Sequence, residues 1–106
     1  MARKRAAMNY SNKRLTDSAK HEACVACGTD DGTIVWAHSN LQKHGKGLGI
    51  KAHDIYGAYL CHNCHARFDR NEKILPLGEG IELVRDYWFD IVWNKSLLIA
   101  CKKGYL

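Results

Sequence analysis

A small α+β domain is predicted by three features of the sequence. Cysteines recur as two C-x2-C pairs, Cys24/Cys27 and Cys61/Cys64. Two short β-branched and aromatic segments, Thr33–Trp36 and Tyr56–Leu60, read as strands. Towards the end, Ile81, Val84, Trp88, Ile91, Val92 and Leu98–Ile99 fall at helical spacing, which predicts an amphipathic helix over 81–102.

The chain has 106 residues and a mass of 12.0 kDa, enough for one domain with a modest core. A core of that size often needs a staple. Apolar residues make up 46% of the chain, which excludes a disordered protein. Leu97–Cys101, the longest wholly apolar run, is far too short to span a bilayer, so no membrane partner is expected. The basic start, Met1 to Arg5, has no apolar stretch behind it and does not read as a secretory signal. A cytoplasmic protein is therefore expected. Sixteen Lys and Arg against 11 Asp and Glu leave a charge of +5, a mild lean towards a polyanionic partner.

Residues 1–15 form a basic arm with Arg3, Lys4, Arg5, Lys13 and Arg14; residues 16–106 form the domain. Thr16-Asp17-Ser18 is expected to cap a short helix through about Ala23. Three glycines, Gly45, Gly47 and Gly49, set among Lys43, Lys46 and Lys51, predict a flexible loop between the strands. Gly57 inside the second strand signals a close backbone approach. A short helix follows from Cys61 to about Glu72.

In a cytoplasmic chain disulfides are rare, and five cysteines cannot all pair. Two tight C-x2-C turns can instead aim four thiolates at one tetrahedral Zn²⁺, a closed site that serves folding. A disulfide, or two unrelated buried pairs, is the other explanation of the same spacing. Cys101 reads as a small core residue.

Two histidines stand out by position. His38 ends the first strand, and His65 follows the second cysteine pair in Leu60-Cys61-His62-Asn63-Cys64-His65. A helix starting near Cys61 turns His65 away from the zinc and towards the strands. His21, His44 and His62 read as surface residues, and His53 as a neighbour of Asp54.

The order C-x2-C, strand ending in histidine, loop, then Leu-Cys-x-x-Cys-His resembles the zinc-containing HNH endonucleases. With Ala37-His38, the glycine-basic loop, Asp54 and Asp69-Arg70, it is most similar to the small phage and prophage YbcO-like nucleases, over roughly residues 20–72. That resemblance implies a ββα-metal core, structural zinc on Cys24, Cys27, Cys61 and Cys64, and hydrolysis of DNA phosphodiesters. His38 would be the general base and His65 a ligand of a catalytic divalent ion such as Mg²⁺. The family often has a polar ligand just before the base and an asparagine in the middle of the motif. Here those positions hold Ala37 and Tyr56, and Asp54 is the residue that could supply a ligand.

DNA is then the expected partner. Lys43, Lys46, Lys51, Arg67, Arg70, Arg3, Lys4 and Arg5 would bind phosphates, without reading bases. The apolar stripe of the last helix would also suit a dimer contact. A zinc-containing nucleic-acid-binding or adaptor module without catalysis is the alternative expectation.

Overall fold

The computed structural model describes residues 10–47, 52–78 and 80–106. Arg3, Lys4, Arg5 and Lys51 lie outside them. In chain order, α1 (Lys13–Asp17) runs into a 3-10 turn (Ser18–His21). Next come β1 (Val35–His38), a second 3-10 turn (Gln42–His44), β2 (Gly57–Leu60) and α2 (His62–Asp69). β3 (Ile74–Pro76), β4 (Glu82–Val84) and α3 (Arg85–Lys103) complete a mixed α+β fold. Among the described residues two antiparallel ribbons are formed, β1 with β2 and β3 with β4. Among the described residues, no helix is long and apolar enough to cross a membrane.

The helical ends differ from the sequence expectations for identifiable reasons. Asn12, not Thr16 to Ser18, caps the first helix, its side chain accepting from the Leu15 amide. That helix drives Leu15 fully into the core. The last helix starts at Arg85 instead of Ile81. Residues Glu82–Val84 pair with Ile74–Pro76, because the Gly78 and Gly80 turn brings them alongside a strand that the sequence had not signalled. The stripe on α3 is also rephased: Trp88, Val92, Ser96 and Ala100 are buried at four-residue spacing, with Phe89 beside them. Leu98 and Cys101 consequently face outward, so Cys101 is not a core residue.

Buried Ser96 is satisfied twice, donating to the Val92 carbonyl at 2.8 Å and accepting from the Tyr59 amide at 3.1 Å. That second bond docks α3 on β2. Trp36, Tyr59, Phe68, Trp88 and Phe89 fill the centre, with Phe68 stacked on Phe89 at 5.1 Å.

Gly57 makes the close approach its sequence position signals. It lies opposite His38 in the ribbon, and a Cβ there would overlap the Trp36 indole nitrogen. That indole donates to the Asp54 carbonyl at 2.7 Å. Gly57→Ala is therefore expected to destabilise the fold by about 1–3 kcal/mol through overpacking. Urea unfolding reads the loss as a lower midpoint at unchanged slope; an unchanged midpoint would show that the Trp36 ring yields freely.

Candidate functional site

The two C-x2-C turns come together. One ligand atom from each of Cys24, Cys27, Cys61 and Cys64 lies within 4.8 Å of all the others. In the first turn Gly28 takes the left-handed φ of 81°, which lets its amide donate back to the Cys24 carbonyl at 2.8 Å. The Val25 amide then bonds the Tyr59 carbonyl, fixing this turn on β2. The second turn is the start of α2. Cys61 caps it, and the Cys64 amide points at the Cys61 sulfur. Four soft donors at this spacing fit a tetrahedral Zn²⁺ and leave no position open for substrate. Cys24, Cys61 and Cys64 are buried, so the sulfurs interact strongly. A hydrogen bond from Cys64 pulls Cys24 down to about 4. Cys64 is pushed up, first by that same bond and then by burial, and burial pushes up Cys27. One sulfur thus carries the negative charge readily, and a cation is the natural partner for the group.

From this anchor the ribbon and α2 carry two histidines into one open cleft of about 210 Å³. His38 comes from the end of β1 and His65 from the first turn of α2. Trp36, Ser39, Asn40, Lys46 and Asp69 complete the lining. His38 and His65 thus both line this cleft. His65 Nε2 lies 3.0 Å from Asp69 Oδ2, one helical turn on. Among the described residues the cysteines are the one set of three or more clustered ligand residues, so the cleft offers His65 and Asp69 as a pair.

Asp54 lies elsewhere than a ligand next to His65 would. It is buried behind the cleft, with Oδ1 2.6 Å from His38 Nε2 and Oδ2 accepting from the Asn12 amide at 2.5 Å. A carboxylate only accepts, so this contact puts the imidazole proton on Nε2 and makes Nδ1 the acceptor. Tyr56 turns away from the cleft, stacking on His44 at 4.2 Å and tilting against Trp93.

His44 is not the surface residue its sequence suggests. It is buried, with Nδ1 2.6 Å from Ser39 Oγ. Burial, and secondarily Lys43, holds its pKa below the ordinary 6.5. The folded state therefore binds this proton more weakly than the unfolded chain. The stabilising contribution is complete above about pH 6.5 and declines as pH falls below it. Wild type should accordingly lose thermal stability on acidification more steeply than His44→Gln does. Parallel melting curves for the two would exclude this.

The basic residues divide. Lys46 reaches the cleft, whereas Lys43 is exposed beside it. Arg67 and Arg70 both engage Glu72, at 2.8 and 2.6 Å, which occupies part of their charge. Asn40 was not singled out in the sequence. It ties the cleft to the rest of the fold by donating to the Phe68 carbonyl at 3.3 Å and accepting from Arg85 at 2.5 Å. Only its place two residues after His38 could have marked it. Asn12 was missed as well, although an asparagine three residues before a buried leucine is a capping signal.

Comparison with protein-family models, with curated proteins and with solved structures gave no match to this chain.

Proposed function

We propose that this chain is a metal-dependent endonuclease of the HNH kind, a zinc-stapled ββα-metal domain that hydrolyses DNA phosphodiesters. The observation that carries the proposal is the convergence of His38 and His65 on one cleft, with Asp54 behind the His38 ring. His38 is the general base, its Nδ1 taking the proton from the attacking water. Asp54 holds that ring in the required tautomer. His65, with Asp69 beside it, would hold a divalent ion, which supplies positive charge to the phosphate and the leaving 3′ oxygen. One imidazole and one carboxylate would suit Mg²⁺, Mn²⁺, Ni²⁺ or Zn²⁺. Lys46 adds a phosphate contact at the rim. The motif resemblance also supports a role in phage or prophage DNA processing.

Plasmid nicking with Mg²⁺, Mn²⁺ or EDTA tests the proposal. Cleavage that requires the ion, with substrate affinity falling as salt rises, is expected. The second reading, a binding module without catalysis, is favoured by one observation: Ala37, buried beside His38, offers no ligand. Salt-dependent DNA binding without nicking under any ion would establish it instead.

A further inference from the structure

The general base is held from the far end of the chain. Residues 10–12 cross the loop that carries His53 and Asp54 and bond to it repeatedly. The Tyr10 amide donates to His53 Nδ1 at 2.9 Å. The Asp54 amide donates to the Tyr10 carbonyl at 2.9 Å. The Asn12 amide donates to Asp54 Oδ2, the carboxylate oxygen that His38 does not use. Tyr10 also closes on its own segment, its hydroxyl accepting from the Asn12 side-chain amide at 2.9 Å. The last of these bonds also steadies the side chain with which Asn12 caps α1. Two of the bonds end on Asp54, one at its backbone amide and one at its carboxylate.

We propose that Tyr10–Asn12 is a positioning strap for the catalytic dyad, so that these three residues are a working part of the active site. This inference rests on the roles assigned above to His38 and Asp54. A carboxylate held on one oxygen alone can swing about its Cβ–Cγ bond. A backbone amide on the second oxygen stops that rotation, and with it the drift of the His38 ring.

His53→Ala removes the acceptor of the Tyr10 amide and Tyr10→Ala removes the hydroxyl that holds the Asn12 side chain, so the pair loosens the strap while Asn12, Asp54 and His38 themselves are kept. Tyr10 is exposed and His53 only half-buried, so the fold is expected to survive. The double variant should lose about tenfold in kcat, since small misplacements of a catalytic group are costly. In an Asp54→Asn background the same two substitutions should have no further effect, because the group they position has gone. A purely structural role would lower the rate equally in both backgrounds, and that outcome overturns the strap. The second readout needs no activity. ¹⁵N chemical shifts of the His38 ring should report a single Nε2–H tautomer in wild type and a mixture in the double variant. An unchanged tautomer in the variant overturns the proposal even if the protein cuts nothing. Wild type that fails to cut while its tautomer responds as expected defeats the nuclease reading and leaves the strap standing.

Discussion

With zinc as the ion that the four-cysteine cluster fits, its removal should unfold the domain. Structural zinc sites of this type contribute about 10–16 kcal/mol of apparent binding energy, as much as or more than the roughly 5–15 kcal/mol by which a whole domain is stable. The location of the site makes the coupling direct. Cys61 caps α2 and Cys64 lies in its first turn, while the Cys24–Cys27 turn is hydrogen-bonded to β2 through Val25 and Tyr59. Losing the ion therefore releases both β2 and the helix that carries His65. A strong chelator, or Cys64→Ser, should abolish cooperative unfolding and reduce the far-UV circular dichroism of the folded state, with one zinc per chain lost by elemental analysis. Cys101→Ser is the matched control. Cys101 is exposed on α3 and away from the cluster, so zinc content and melting should not change. A protein that keeps its sharp transition after losing its zinc would show that the core stands without the staple.

His38→Ala is expected to have the largest effect on activity. Loss of a positioned general base costs typically about 10²–10⁴-fold. The ring stands at the end of β1 with its side chain about one-fifth exposed, so its removal empties no core cavity. Nicking should fall by that factor, while zinc content, melting and DNA affinity stay close to wild type. Asp54→Asn should fall less far, because it keeps the shape of the side chain but weakens its hold on the Nε2 proton. Nicking at the wild-type rate by His38→Ala would remove His38 from the mechanism and return the choice of base to the other groups of the cleft.

The comparison of sequence and structure turns on how far apart the partners lie. Cys24/Cys27 and Cys61/Cys64 were legible because each pair is a local turn and because few explanations fit two such turns in a chain with an odd number of cysteines. The order of strand, strand and helix was legible for a similar reason, since β-branched runs and glycine punctuation act locally. The start of α3 was misplaced because Ile81 and Val84 fit a helical period and a strand period alike. Pairing with Ile74–Pro76 decided between them. Tyr56 and His44 were invisible as partners. Neither residue type nor spacing announces a stacked pair twelve residues apart across a loop. Asp54 was singled out for its charge, but its assignment changed once its neighbours were known.

What the sequence alone determined is the chemistry available: four thiolates in two turns, a histidine at a strand end, another at the start of a helix, and an excess of positive charge. Tertiary structure decided how that chemistry is disposed. It folded a cysteine-anchored helix against a hairpin so that His38 and His65 share a cleft, and it laid residues 10–12 across the Asp54 loop. The physical reason is one of range. Turn geometry, capping and periodicity act over a few residues and can be read along the chain. The contact between Asp54 and Asn12 spans 42 residues and exists only because burial of the core brings the two segments together.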